Sequence, residues 1–340
     1  MAVAVKNKTF AAINRVTAAI WIPAGFKNSR KRRLFDGAGR GIMFFPVANI
    51  EINPLIPILT GLAVSVVSAP TGVSGGFLIM PVYLNFLNFT SASVSPTNFI
   101  FNVVAMPPGL WRLHREKRLM WGLGGLLTLG CLPGIFAGTV LRCTWLRQAA
   151  DFKVFVGLVL FCLALSLFHG LWKGNAAADR AERNFLAHKS AAGLRCAYSR
   201  RNIAYDFSGE HFIVSTPQIL LVSLLVGIIG GIYGIGGAAM IAPILVGFFK
   251  MPIYVVNGAS LLAGWAGAVF GLFSYAVFWP AISGEPPIYP DIKLGLLFGL
   301  GGMLGVYAGS AMQRFLPPKP LKMMMLALIC LAAVQNFGLF

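Results

Sequence analysis

Long apolar runs, separated by short polar segments, follow one another from residue 54 to the end of the chain. A helix needs about 20 apolar residues to cross a bilayer, and the pattern predicts about eight transmembrane segments. They are predicted at 54–88, 91–110, 120–141, 152–172, 215–249, 254–279, 291–312 and 321–340. The first and fifth runs, each about 35 residues long, exceed one straight crossing. A kinked span with an overhang and a re-entrant hairpin both fit these two segments.

Glycines interrupt both of these long segments. The first interruption is Ala69–Pro81 (APTGVSGGFLIMP), and the second is Ile232–Pro243 (IYGIGGAAMIAP). Glycine costs a helix interior roughly 1 kcal/mol relative to alanine, so several together favour a break. Broken backbone at membrane depth is tolerated only where protein or a water-filled cavity satisfies its N–H and C=O groups. A matched pair of such breaks indicates a transporter's binding site.

The sequence predicts two homologous halves, each beginning with a glycine-broken helix. The residues matched at a spacing of 162 positions are Gly72 with Gly234, Gly75 with Gly237, and Pro81 with Pro243. A spacing of 171 positions matches two further rows of glycines, Gly130, Gly134 and Gly138 with Gly301, Gly305 and Gly309. The order of the matches indicates a tandem duplication. Glycines four residues apart let helix backbones approach closely in lipid, so these rows are predicted to be packing seams.

The predicted domain boundaries follow from this repeat. A basic tail is expected at 1–50, the first membrane repeat at 51–172, a basic loop at 173–214 and the second membrane repeat at 215–340. Within the tail, Phe10–Ile22 alternates apolar and polar residues as a surface-lying amphipathic helix does. A tail held against anionic lipid is the preferred interpretation, and an organellar transit peptide is the alternative.

Basic residues give the expected orientation. The N-terminal tail, Arg112–Arg118 (RLHREKR) and the loop 173–214 are all rich in lysine and arginine. They lie on one side if residues 54–88 cross once, which predicts a cytosolic N terminus in the cytoplasmic membrane. The second half gives a less clear indication of orientation. With a cytosolic N terminus, Arg314, Lys319 and Lys322 would lie on the outer side of the membrane. Parallel and inverted arrangements of the two halves both stay open.

Composition supports a membrane protein and argues against other classes. Hydrophobic residues make up 57% of the chain and charged residues 11%, with a mean hydropathy of +0.76, outside the range of soluble domains. The predicted fold class is an all-α polytopic membrane protein. The net charge of +18 lies in tails and loops, which fits anionic lipid better than nucleic acid. The five cysteines and four histidines are scattered, so no metal site, cofactor or disulfide framework is expected.

No carboxylate, lysine or arginine falls in the middle of a predicted span. This argues against a buried proton relay and against a cation site made of carboxylates. It also leaves no paired acids or activated nucleophile, so no catalytic residue is predicted. An anion can still be held by the free N–H groups and positive dipole end of a helix N terminus. The helices that restart after the two breaks supply such ends.

The candidate substrate-binding residues lie at the breaks and in short polar clusters about 20 residues after each break. Ser74 is a candidate N-cap, and Asn98 and Asn102 share one helical face. The full set is Thr71, Gly72, Ser74, Gly75, Gly76, Thr97, Asn98, Asn102, Gly234, Gly236, Gly237, Asn257 and Ser260. The polar members also fit an ordinary role in capping and joining membrane helices. The interpretation as a site is preferred because the repeat places both clusters in corresponding positions.

Two runs of the sequence resemble a known family. They are FFPVANIEINPL with the following TGLAVSVVSAPTGVSGGFLIMPVY, and LLVGIIGGIYGIGGAAMIAPIL with the following NGASLLAGWAGA. Both are similar to the two copies in the sulfite-exporter (TauE/SafE) permease family, formerly a domain of unknown function, over roughly residues 44–340. The shared G-x-G-G-x-x-x-x-P pattern is moderately specific in a polytopic protein. The sequence departs from the family pattern at Ala69-Pro70-Thr71, Ser74 and Asn98, and its basic loop is long. These departures bear on the identity of the substrate more than on transport itself.

The resemblance implies a secondary transporter, expected to export small sulfur-containing anions such as sulfite, sulfoacetate or related organosulfonates. The expected partners are this anion and the lipids of an anionic leaflet, with no nucleic acid. The oligomeric state is open, a homodimer being one option. Two alternatives remain: a non-transporting membrane scaffold or sensor acting through the basic tail and loop, and a channel for another small solute.

Overall fold

The computed structural model describes residues 41–148, 151–168, 176–188, 195–199 and 201–336, with gaps at 153, 156, 160, 163, 166 and 167. The predicted amphipathic helix at Phe10–Ile22 lies outside the described residues. The chain divides into two compact units, Met1–Phe44 and Phe45–Phe340. All helices described below belong to the second unit.

The described part of the chain is mostly helical. Its helices are α1 (Leu55–Ser68), α2 (Gly75–Pro81), α3 (Val94–Ala105), α4 (Pro107–Arg115), α5 (Trp121–Thr144), α6 (Ala176–His188), α7 (Thr216–Tyr233), α8 (Ala238–Gly247), α9 (Ile253–Phe273), α10 (Trp279–Ser283), α11 (Ile292–Gln313) and α12 (Pro318–Asn336). A 3₁₀ turn follows α1 at Ala69–Thr71, and π-helical turns follow α2 and α9 at Val82–Phe86 and Ser274–Phe278. The strands are β1 (Met43–Phe45), β2 (Ile50–Ile52), β3 (Arg195–Tyr198), β4 (Asn202–Phe207) and β5 (Glu210–Ser215).

Four of the described helical segments are long and apolar enough to cross a membrane: Trp121–Thr144, Thr216–Tyr233, Ile253–Ser283 and Ile292–Gln313. Two further apolar segments, Leu55–Thr71 and Gly75–Phe86, are shorter. Together they support the predicted polytopic membrane protein. The count of eight spans and the duplication stay predictions.

The predicted span at 91–110 is divided into two helices. α3 ends at Ala105 and α4 begins at Pro107. Pro107 and the proline after it have no N–H to donate to the preceding turn, so the hydrogen-bond ladder is interrupted at this point.

Glycine rows join α5 to α7 and α11 to α1. Gly134 on α5 lies so close to the carbonyl oxygen of Leu224 that a side chain there would overlap it. On the other pair, a Cβ atom added at Gly309 would lie 2.8 Å from the carbonyl oxygen of Val66. Such backbone approach needs small residues. The packing role predicted for these glycine rows is confirmed.

The same contacts show that the helices of each pair run parallel. On α5, Gly130, Gly134 and Gly138 lie against Ser223, Leu224 and Ile228 of α7, in that order. On α11, Gly301, Gly305 and Gly309 lie against Ile58, Leu62 and Val66 of α1, in that order. In both pairs the residue numbers increase together.

The helix bundle has two distinguishable ends. At the loop end, Glu182 of α6 accepts hydrogen bonds from the Ile253 N–H that begins α9 (2.9 Å) and from Lys322 Nζ of α12 (2.8 Å). At the Asp291 end, the Asp291 carboxylate accepts from the Val47 N–H (3.1 Å) and caps the first turn of α11. α11 therefore starts at the Asp291 end, and its last residues lie at the loop end.

Both broken segments are re-entrant hairpins. α1 is parallel to α11 and so starts at the Asp291 end, and the chain is back at that end by Thr97, whose Oγ1 accepts from the Asp291 N–H (2.8 Å). α7 is parallel to α5, which starts at the loop end just after Arg118, and the chain is back at that end by Ile253. The two hairpins therefore enter the bundle from opposite ends. Of the two alternatives open for the long apolar segments, the hairpin is the one observed.

This arrangement changes the expected distribution of charge. Arg314 Nη1 lies 3.8 Å from Glu116 Oε1, and Lys322 bonds Glu182, so both basic residues are at the loop end. The expectation that they lie on the opposite side from Arg112–Arg118 is therefore wrong. A cytosolic N terminus required residues 54–88 to cross once, and it no longer follows from charge because the hairpin returns to its own end.

The described residues between the two membrane halves form a helix and a sheet. α6 is followed by an antiparallel sheet in the order β3-β4-β5, in which Ile203 pairs with Val214. Phe185 of α6 packs on Tyr254 of α9 with ring centroids 4.6 Å apart. These strands depart from the all-α class predicted from the sequence. Their apolar residues alternate with polar ones, which lowers the mean hydropathy and hides the sheet in a hydropathy profile.

Glu182 attaches α6 to the helix bundle. Its carboxylate is fully buried, and burial raises its pKa, while the Lys322 ammonium and the Ile253 N–H oppose the rise. Breaking a buried pair by removing one partner costs about 3–5 kcal/mol, because the other charge stays buried.

We expect Gly134→Ala to lower the melting temperature of the purified protein, because overpacking costs about 1–3 kcal/mol and the added methyl meets backbone atoms of α7. Thermal unfolding in detergent measures this. Gly125 on the same helix is the control, since a Cβ there meets nothing within 4 Å. Equal losses in both variants would contradict the packing seam.

We expect Glu182→Ala to expose the segment 176–215 to limited proteolysis, because Lys322 and the Ile253 N–H lose their buried partner. The control is Arg180→Ala on the same helix, whose partner Glu210 forms an exposed ion pair, worth about 1 kcal/mol or less. Cleavage rates are compared on an electrophoresis gel. Cleavage of Glu182→Ala at the wild-type rate would show that this carboxylate does not hold α6.

Candidate functional site

The first break is closed by a serine cap. Gly72 ends the 3₁₀ turn with a φ of +77°, a left-handed conformation that costs other residues roughly 1–2 kcal/mol. Ser74 then caps α2: its Oγ accepts from the Gly76 N–H (3.1 Å) and donates to Asn102 Oδ1 (2.5 Å). Asn98 Nδ2 donates to the Gly76 carbonyl (2.9 Å). The first break and the polar cluster that follows it therefore form one hydrogen-bonded unit.

The second break is made of glycines in the left-handed conformation. Gly234, Gly236 and Gly237 have φ values of +81°, +65° and +91°. Gly236 lies against the backbone of Gly264, so a side chain at this position would overlap it. α8 begins directly afterwards, and no side chain caps its first turn. The two breaks therefore differ: Ser74 occupies an N–H at the start of α2, whereas the start of α8 has no such cap.

Side chains of the first half bond the second break. Ser95 Oγ donates to the carbonyl of Ile232 (2.9 Å), and Asn102 Nδ2 approaches the carbonyl of Gly234 (3.4 Å). Tyr233 also joins the two breaks, because its hydroxyl donates to the carbonyl of Phe77 (2.9 Å) and the two rings stack.

Side chains of the second half bond the first break in return. Asn257 Nδ2 donates to the carbonyl of Ala69 (3.2 Å), and Ser260 Oγ approaches the carbonyl of Gly72 (3.3 Å). Each half thus donates hydrogen bonds to carbonyl groups at the break in the other half. This reciprocal bonding places both breaks next to each other inside the bundle.

Some buried polar atoms beside the breaks have no hydrogen-bond partner among the described residues. They are Asn98 Oδ1, Asn257 Oδ1, Ser65 Oγ and Ser68 Oγ. Ser65 Oγ would lie 2.7 Å from a Cβ added at Gly75. Unpaired buried polar groups are costly, and native proteins keep few of them. These four atoms therefore leave hydrogen-bonding capacity beside the breaks, and other unpaired buried atoms of the described residues lie elsewhere.

The structure brings most of the predicted site residues together. Those that line the two breaks or bond across them are Thr71, Gly72, Ser74, Gly75, Gly76, Asn98, Asn102, Gly234, Gly236, Gly237, Asn257 and Ser260. Thr97 is elsewhere: its Oγ1 donates to Ser93 and accepts from the Asp291 N–H at the Asp291 end. Thr97 therefore joins α3 to α11, and substrate binding by the other residues stays a prediction.

Arg142 is a charged residue beside the breaks that was not predicted from the sequence. Arg142 lies in the last turn of α5, is fully buried, and has its Nε 3.4 Å from Ser95 Oγ. Its guanidinium covers the ring of Phe152 at 4.2 Å. The predicted span at 120–141 ended one residue before Arg142, so this residue was assigned to a loop. In the structure, α5 continues to Thr144.

Apolar helices that surround two re-entrant hairpins with polar, glycine-rich tips define a polytopic membrane protein with an internal polar site. Among protein families, the model for "Sulfite exporter TauE/SafE" matches residues 57–336. The chain belongs to this family, as its resemblance to the family predicted. It is a membrane transporter.

Two relatives from Bacillus subtilis (strain 168) are similar to the chain. The probable membrane transporter protein YunE is 22% identical over 294 residues, which cover 83% of this chain and 96% of the relative. The probable membrane transporter protein YdhB is 30% identical over 120 residues, which cover 34% of this chain and 44% of the relative. No solved structure shows significant similarity.

We expect Gly234→Ala to destabilise the protein more than Gly284→Ala. Both glycines have a positive φ, at +81° and +68°, so both variants bear backbone strain of roughly 1–2 kcal/mol. Only at Gly234 does the added methyl also overlap the backbone of Ser95, whereas nothing lies within 4 Å at Gly284. Thermal unfolding measures the difference. Similar melting temperatures would show that the second break does not pack against α3 as described.

Proposed function

We propose that the protein is a secondary transporter that exports small sulfur-containing anions, such as sulfite, sulfoacetate or related organosulfonates, across the cytoplasmic membrane. The observation that carries the proposal is the meeting of two glycine breaks, cross-bonded by Ser95, Asn102, Asn257 and Ser260, in the bundle interior. Membrane transporters bind their cargo at such paired breaks.

The chemistry of the breaks favours an anion. No carboxylate of the described residues takes part in the hydrogen bonds that join them. α8 starts at the second break without a side-chain cap, so its first N–H groups and positive dipole end are available to an oxyanion. Gly237 carries no side chain, and the atom nearest to an added Cβ would be 3.3 Å away, so an anion can approach its backbone closely. At the first break Ser74 already occupies one N–H, which makes the second break the stronger anion site.

Two hairpins that enter from opposite ends are what an inverted duplication produces. We infer that the halves are related in this way and that transport alternates by moving one hairpin and its supporting helices against the other. The loop end carries Arg112, Arg118, Arg314 and Lys322. The positive-inside rule places that end in the cytoplasm, where the basic segment 173–214 also meets anionic lipid.

The test is efflux of ³⁵S-labelled sulfite and sulfoacetate from liposomes that contain the purified protein. We expect efflux above that of empty liposomes, and a loss of at least tenfold in Gly237→Leu and Gly75→Leu, because both side chains enter the breaks. Gly125→Leu is the control, since its side chain meets open space, and it should transport like the wild type.

Wild-type efflux equal to that of empty liposomes for both anions would contradict the proposed function. Unchanged efflux in Gly237→Leu and Gly75→Leu would contradict the location of the site. The described residues place no carboxylate at the breaks for proton coupling, so we infer that any coupled proton travels on the substrate, since sulfite titrates near neutrality. Efflux of sulfite should then depend on the pH gradient.

A further inference from the structure

Arg142 is a buried charge without a counter-charge among the described residues. Its side chain is fully buried, and its Nη2 has no hydrogen-bond partner among the described residues. Nη1 bonds the carbonyl of Leu146, and Nε lies 3.4 Å from Ser95 Oγ. Every acidic residue except Asp36 lies in the described part of the chain, and none of them forms an ion pair with Arg142.

A buried charge of this kind destabilises the folded protein. Arginine stays protonated in proteins, and an isolated charge in a low-dielectric interior costs several kcal/mol unless another group compensates it. An ionisable residue within a membrane segment is therefore a functional-site hypothesis by default. The ring of Phe152 beneath the guanidinium supplies only a partial compensation.

The position of Arg142 connects it to the second break. Ser95, which Nε approaches, donates to the carbonyl of Ile232 just before the glycines. Tyr275 borders the same region, and its hydroxyl approaches the carbonyl of Gly231 (3.3 Å). The free Nη2 thus belongs to a group of side chains that contact the second break from the Asp291 end.

The second half offers a comparison. Gln313 stands 171 positions after Arg142, at the spacing that matches the glycine rows of α5 and α11, and it is neutral. Gln313 is fully buried and accepts from Arg118, whose charge is paired with Glu116 at 2.9 Å. The buried arginine near the loop end is therefore neutralised, and the one near the second break is not.

We propose that Arg142 binds the transported oxyanion directly, through its free Nη2, on the Asp291 side of the second break. The inference rests on the proposed function and adds to it the residue that supplies positive charge. The free Nη2 carries two N–H donors held in the plane of the guanidinium, which suits the oxygens of a sulfite or sulfonate group. The anion in turn supplies a counter-charge that none of the described acidic residues provides.

The test combines binding and transport in wild type, Arg142→Gln, Arg142→Lys and Arg147→Gln. Arg147 is the control, because it lies five residues further along, is half exposed and pairs with Glu285. Melting temperatures in detergent are measured against sodium sulfite and sulfoacetate, with ionic strength held constant by sodium chloride. Efflux of the labelled anions is measured in parallel over a range of concentrations.

We expect both anions to raise the melting temperature of the wild type and of Arg147→Gln, since a ligand that binds only the folded state stabilises it. Arg142→Gln should show no such rise and should melt higher than the wild type without anion. Its half-saturating concentration for efflux should increase roughly 10- to 100-fold, as for the loss of a charged hydrogen bond. Arg142→Lys, which keeps the charge but not the planar geometry, should be intermediate.

The inference would be overturned if the anions still raised the melting temperature of Arg142→Gln and its half-saturating concentration were that of the wild type. The proposed transport would then still stand. Anion stabilisation that depends on Arg142, without efflux from wild-type liposomes, would contradict the proposed transport and support the inference. If Arg142→Gln does not fold, Arg142→Lys decides by the same criterion, because an unchanged half-saturating concentration in that variant excludes binding that depends on the planar Nη2 donors.

Discussion

Backbone that leaves a helix inside an apolar bundle must find hydrogen-bond partners, and this constraint determines how the two halves of the protein meet. The first break ends at a serine cap, and its Ala69 carbonyl accepts from the Gly72 N–H of the same half. The Ala69 and Gly72 carbonyls also have donors in the other half. Asn257 and Ser260 of the second half bond them, while Ser95 and Asn102 bond the second break. Each break is bonded partly within its own half and partly by the other half, so the full set of contacts exists only where the halves are joined.

The glycine seams make this junction geometrically attainable. α5 lies against α7 and α11 against α1 at backbone contact, which removes the space that side chains would take. The hairpins are therefore held along their first helices, and their tips reach the same interior region from opposite ends. The charges at the loop end serve a different purpose. Lys322 pairs with Glu182 and attaches α12 to α6, and Arg314 lies near Glu116, which follows α4.

The positions of the breaks and the seams follow from the sequence, because they depend on local chemistry: glycine weakens a helix and permits close packing wherever it occurs. The partners across the breaks do not follow, since Asn257 and Ala69 are 188 residues apart and no local pattern links them. The sequence also does not show whether residues 54–88 cross the membrane once or form a re-entrant hairpin, because both have the same hydropathy. Arg142 was missed because a hydropathy boundary at residue 141 ended one residue before it, while the packed helix extends to Thr144.

The account depends most on the two hairpins entering from opposite sides, and membrane-impermeant thiol labelling tests this directly. Single cysteines at Glu51 and Asn88, which bracket the first hairpin, and at Asn202 and Lys250, which bracket the second, are introduced into a cysteine-free background and labelled in oriented vesicles. The account predicts that positions 51 and 88 react from one side of the membrane, and that positions 202 and 250 react from the other. Reaction of positions 51 and 88 from opposite sides would show that residues 54–88 cross the membrane once and would contradict it.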